Sequence, residues 1–157
     1  MHKRRYSATD AGGSRKVSGR YNCGLDLFPE REVWTALYLA LGAEICLGEV
    51  LRHVTPELLP QLNGYRLSEL AVRLTAVLDC RDVAALGLQP TDLWNDTDCF
   101  IPRMIAAAAI MRGVEGMIVP SATHLGDNLI VFPGLLRANA SLEVVGERDP
   151  ALYVPRS

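Results

Sequence analysis

The chain has only four cysteines, with no Cys-x-x-Cys pair among them, and its three histidines, His2, His53 and His124, are scattered without ligand spacing. That scarcity argues against a structural zinc site and a disulfide framework, and a reducing cytoplasm is the expected address. Long apolar runs are missing too. The longest, residues 105–111, is bracketed by Arg103 and Arg112 and is too short to span a bilayer. No secretory apolar segment follows the N-terminus, no internal repeat is present, and there is no Gly-x-Gly-x-x-Gly fingerprint for a bound dinucleotide cofactor.

What remains is an ordinary globular composition. With 157 residues, 49% hydrophobic and 22% charged, the chain is long enough for one domain with a real core. The net charge of −2 is unevenly spread. Lys3, Arg4, Arg5, Arg15, Lys16 and Arg20 stand against Asp10 alone in the first twenty residues, a balance of +5 that leaves −7 for the rest. Serine and glycine accompany these charges. Residues 1–16 are therefore expected to form a basic, flexible arm ahead of a folded domain over 17–157. Solvated terminal charge is the commoner reading of such an arm, and contact with nucleic acid or an anionic ligand is the alternative.

Apolar periodicity predicts strands over residues 33–40, 65–72, 74–78 and 142–145, and a helix over 43–53 ended by Pro56. A helical turn over 83–86 stops at Gly87, and residues 90–98 read as loop. The best-marked helix covers 102–112. Pro102 suits its first turn, four alanines its middle, Arg112 the negative end of its dipole and Gly113 the position just past it. Strands outnumber helices without alternating regularly. The expected class is a single mixed α+β domain with a central, largely antiparallel sheet and flanking helices.

The chain is organised around residues 116–132. Two short β-branched runs, 117–119 and 129–132, read as buried strands around a polar loop holding Ser121, Thr123, His124, Asp127 and Asn128. That is more hydrogen-bonding capacity than a turn needs, although a plain hairpin connection accounts for it as well. Other candidates lie earlier. Glu49 borders the apolar stripe of its helix, where a carboxylate is costly unless used or paired, and Arg52 and His53 at i+3 and i+4 offer a surface ion pair instead. Arg20 follows a glycine and carries the planar donor fork that binds phosphates, or is simply solvated. Tyr38 is either core or a ring for stacking on a flat ligand. Ser121 lacks a nucleophile elbow, so a serine hydrolase built on Ser121 and His124 is not proposed.

In order along the chain, Gly19-Arg20-Tyr21-Asn22, Leu37-Tyr38-Leu39-Ala40, Leu47-Gly48-Glu49-Val50-Leu51, Val119-Pro120-Ser121-Ala122 and Asn128-Leu129-Ile130-Val131-Phe132 together resemble the RES domain, named for an arginine, a glutamate and a serine. Arg20, Glu49 and Ser121 match those three. The resemblance implies an ADP-ribosyltransferase-like fold and a bacterial toxin, paired with an Xre-type antitoxin, that consumes NAD. It also implies that Arg20, Glu49 and Ser121 are catalytic and that Arg20, Tyr21, Tyr38, Ser121 and Asn128 bind NAD. A further arginine ahead of the Arg-Tyr-Asn motif is common in the family, and Arg4 and Arg5 are its candidates here.

On this reading NAD+ is a substrate and no cofactor or metal is needed. Cleavage of the nicotinamide–ribose bond, with phosphate or water as acceptor, would deplete NAD and arrest growth. Transfer of ADP-ribose to a protein, or an inactive antitoxin-binding module, are the alternatives. An oligomeric complex with the antitoxin is expected, with no membrane contact and nucleic acid reached only through the antitoxin.

Overall fold

The computed structural model describes residues 1–52, 63–95 and 97–150. These form seven strands, β1 (His2–Lys3), β2 (Leu37–Ala40), β3 (Tyr65–Arg73), β4 (Val77–Asp79), β5 (Gly116–Pro120), β6 (Asp127–Val131) and β7 (Ser141–Arg148). Four helices accompany them, α1 (Gly12–Lys16), α2 (Ala43–Leu51), α3 (Pro90–Trp94) and α4 (Phe100–Met111). The class is mixed α+β as expected, but the strands form two sheets and not one central sheet. One sheet runs β2-β6-β5-β4 and the other β1-β3-β7. Pairing is antiparallel except between β4 and β5.

The core lies where α4 meets the first sheet. Ala106 and Ala109 of α4 pack with Met117 and Val119 of β5, Ile130 of β6 and Phe132, all essentially inaccessible to water. Burying each of the larger side chains contributes roughly 1.5–3 kcal/mol, and the alanines let the helix approach the sheet closely. The two central strands are thus as buried as their sequences require. Gly113, at φ 68°, closes α4 in the left-handed conformation, and Gly87 at φ 72° does so after the turn Ala84–Leu86.

Two expected strands are shorter than their apolar patterns because other acceptors take their backbone N–H groups. The Trp34 and Ala36 N–H groups donate to Cys23 O and Ser14 Oγ, so β2 begins only at Leu37. Likewise Thr75 N and Ala76 N donate to the Glu115 carboxylate, which delays β4 until Val77. Residues 90–98, expected as loop, begin instead with α3. Pro90 sits in its first turn, and the Asp92 side chain accepts from Gln89 N at 2.8 Å, one arm of a capping box. The arm 1–16 is laid along the domain: β1 pairs with β3, and Arg15 bridges to Glu30 at 2.5 Å.

Glu115 is a feature that the sequence does not announce. Its side chain is 0% exposed, with Oε1 accepting from Arg137 N at 2.8 Å and Oε2 from Thr75 N, Thr75 Oγ1 and Ala76 N at 2.6–2.9 Å. One carboxylate thereby ties together three segments of chain.

Candidate active site

Helix α2 buries Ile45 and Leu47 and carries Glu49 on its last turns. The loop between β5 and β6 crosses that helix one residue away. The approach is close at Gly48, where a Cβ would lie 3.1 Å from Thr123 Cγ2. β5 and β6 form the expected hairpin, with Val119 paired to Asn128 and Ser121 N bonded to Gly126 O at 2.8 Å. The hairpin reading of this loop therefore holds, and its polar side chains turn toward Glu49.

Glu49 Oε1 accepts three hydrogen bonds from it. Ser121 Oγ donates at 2.6 Å, Asn128 Nδ2 at 2.8 Å and Ala122 N at 3.2 Å. Oε2 stands 3.7 Å from Arg52 Nη1. The ion pair with Arg52 is therefore present, but the charge-assisted bonds from a segment 72 residues away fix the orientation of the carboxylate. His53, the other proposed partner, lies outside the described residues.

Ser121 is 0% exposed, and its oxygen also meets Thr123 Oγ1 at 2.7 Å and Thr123 N at 3.1 Å. It stands behind the carboxylate and positions it. His124 takes no part, since its ring packs edge-on against Trp94 with centroids 4.2 Å apart.

In front of Glu49 opens a cavity of about 660 Å³, within the usual range for small-molecule sites. Glu49, Asn128, Tyr38, Tyr21 and Arg20 line it, and so does Arg103 of α4, which the sequence reading treated only as a flank of an apolar run. A larger cavity of about 840 Å³, walled chiefly by aliphatic side chains of β2 and β3, shares Tyr38 but none of the other candidates.

The two tyrosines differ from expectation in one respect. Tyr21 is 3% exposed, with its ring in the core, whereas the Tyr38 side chain is 41% exposed over the cavity. Of the two rings, that of Tyr38 is therefore the one open to the cavity. Its hydroxyl accepts from Tyr21 N at 2.9 Å and donates to buried Asn22 Oδ1 at 2.8 Å. Burial pushes the Tyr21 phenol well above its ordinary range, and the enclosed hydroxyl end of Tyr38 is pushed up likewise although its ring lies partly open, so both stay protonated. Asn22, the third residue of the Arg-Tyr-Asn motif, thereby anchors the ring.

Arg20 donates through Nη1 to Leu93 O on α3. Arg4 and Arg5 do not reach the cavity: Arg4 bonds Tyr65 O and Asp149, and Arg5 lies 4.9 Å over the Tyr6 ring. Among the described residues, no group of three or more His, Cys, Asp or Glu side chains is placed to hold a metal.

Gly19 has no room for a side chain, because a Cβ would lie 2.5 Å from Asn22 Oδ1 and 2.6 Å from the Tyr38 hydroxyl. Gly19→Ala is therefore expected to break the Tyr38–Asn22 bond and swing the ring out of place while leaving the core intact. Near-ultraviolet circular dichroism should change while the far-ultraviolet spectrum does not. Unchanged spectra in both regions would refute it.

A mixed α+β domain thus sets an anchored carboxylate, two arginines and a tyrosine ring around one cavity. The chain belongs to the RES domain family, whose model matches residues 1–154. Among solved structures it is similar to a chain in the crystal structure of the M. tuberculosis MbcT–MbcA toxin–antitoxin complex. The identity is 28%, with a TM-score of 0.79 over 96% of this chain and 82% of that one. No curated protein matches the sequence.

Proposed function

We propose that the chain is the toxin of a toxin–antitoxin pair and that it cleaves NAD+ between nicotinamide and ribose, passing ADP-ribose to phosphate or water. The observation that carries this reading is Glu49, its Oε1 held by three donors at the wall of a ligand-sized cavity. The bond to be broken joins ribose to a cationic pyridinium. Its electron pair leaves with the ring nitrogen as neutral nicotinamide, and positive charge builds on the ribose. A fixed carboxylate stabilises that charge, as in glycosidases.

In this assignment Glu49 faces the ribose, with Ser121 holding it in place. Asn128 both orients Glu49 and lies within reach of the sugar hydroxyls. Arg20 binds the diphosphate as a planar donor fork, and Tyr38 stacks on the nicotinamide or ribose. Tyr21 contributes its backbone N–H to Tyr38 more than its ring. NAD+ is then a substrate, and the chain's own side chains supply the chemistry.

The similar structure is a toxin–antitoxin complex, which supports an antitoxin partner here, of Xre type as the family resemblance implies. Nucleic acid would be reached through that partner, and the complex would be oligomeric and cytoplasmic. No helix among the described residues is long and apolar enough to cross a membrane.

The test is to incubate the purified protein with NAD+ and phosphate and to measure free nicotinamide and labelled protein. Nicotinamide in large excess over protein, without label on protein, is expected. Labelled protein would favour modification of a target. No nicotinamide at all would leave an inactive binding module and sink the proposal.

A further inference from the structure

We infer that Arg103 is a second substrate-binding arginine and that it forms, with Arg20, a two-guanidinium clamp for an organic diphosphate. The inference deepens the NAD reading and rests on it for the identity of that diphosphate. Both arginines line the cavity that contains Glu49. They are also tied to one turn of chain, since Arg103 Nε donates to Gly19 O at 2.9 Å, the residue immediately before Arg20.

Three observations separate Arg103 from an ordinary helix-surface cation. First, its guanidinium lies 5.6 Å from the centre of the Phe28 ring, so one face is covered and the plane of the fork is fixed. Second, only Nε is matched. Neither Nη atom has an acceptor among the described residues, and no carboxylate among them pairs with it, whereas Arg15, Arg31 and Arg81 each have an acidic partner. A half-buried cation without a counterion is costly, and an anion in the cavity would complete it. Third, Arg103 ends the first turn of α4, near the positive end of the helix dipole, which is an unfavourable place for a purely structural cation. A diphosphate carries two negative charges, and two forks match it better than one.

The test uses the full chain and three variants, Arg103→Ala, Arg103→Gln and Arg103→Lys, with circular dichroism to confirm folding. Calorimetry with inorganic pyrophosphate should give an affinity that falls roughly 10- to 100-fold in Arg103→Ala and Arg103→Gln. Arg103→Lys, which keeps the charge but loses the fork, should fall in between. Steady-state kinetics on NAD+ should show a raised KM with kcat little changed. A residue that merely supports the Gly19–Arg20 turn would instead change kcat and leave the graded pyrophosphate series absent. Pyrophosphate binding that is absent in wild type, or equal in all variants, would overturn the clamp. If Arg103 governs pyrophosphate binding but NAD+ is never cleaved, the clamp stands and the NAD reading falls.

Discussion

Glu49→Gln is expected to abolish NAD+ cleavage while sparing the fold and most of the NAD+ affinity. The glutamine Oε1 can keep the three bonds from Ser121, Asn128 and Ala122 N, so the side chain should stay where it is. Only the negative charge disappears. That charge matters most when positive charge develops on the ribose, so the loss falls on the transition state and not on the bound substrate. One such electrostatic contact is worth on the order of 3–4 kcal/mol, roughly 100- to 1000-fold in kcat. The pair with Arg52 at 3.7 Å is partly exposed, and losing it should cost no more than about 1 kcal/mol of stability. Nicotinamide release measured on both proteins decides the matter. A variant turning over at the wild-type rate would end the mechanism.

Replacing Glu115 should have the largest effect on stability. Its buried carboxylate is the acceptor for three backbone N–H groups, from Arg137, Thr75 and Ala76, as well as the Thr75 hydroxyl. Glu115→Gln keeps the shape but turns an NH₂ toward one set of donors. An amide NH₂ buried against N–H donors is expensive, and a fall of at least about 5 °C in Tm is expected. The same group makes a pH prediction. The N–H donors, Arg137 first, hold the carboxyl well below the usual carboxylate range, at about 2 against an ordinary 4.5. Its stabilising contribution is therefore complete above pH 4.5 and is lost as the pH falls from 4.5 toward 2. Denaturation followed across that window should be steeper for wild type than for Glu115→Gln. Parallel curves would disprove the linkage.

Much of this molecule was legible because its signals are local. The apolar runs of β5 and β6, the alanines of α4, and Gly87 and Gly113 each dictate conformation within a few residues, and the structure follows them. Arg20, Glu49 and Asn128 were readable as neighbours only through motif order, and the cavity gathers them with Tyr38. What escaped depends on distant partners. No periodicity could say that Thr75 and Ala76 would surrender their N–H groups to Glu115, or that Trp34 and Ala36 would give theirs to Cys23 and Ser14 upstream of Leu37. The short helix α3 hid behind a proline and polar residues that also suit a loop. Tyr21 looked like a ligand ring, but its side chain is claimed by the core. Arg103 was overlooked because its register on α4 means nothing until the Gly19 turn is folded beside it.

The order of the first sheet has a consequence for how such a protein comes into being. β6 lies between β2 and β5, and it also brings Asn128 to Glu49. Until residues 127–131 are made, β2 has no partner and β5 is joined to β4 alone. A chain growing on a ribosome therefore carries its arginine and glutamate early but has no assembled pocket until residues 127–131 have been made. At roughly 5–20 residues per second this delay amounts to several seconds, and long-range pairing adds to it. Any activity housed in that pocket is therefore withheld from the growing chain by strand order.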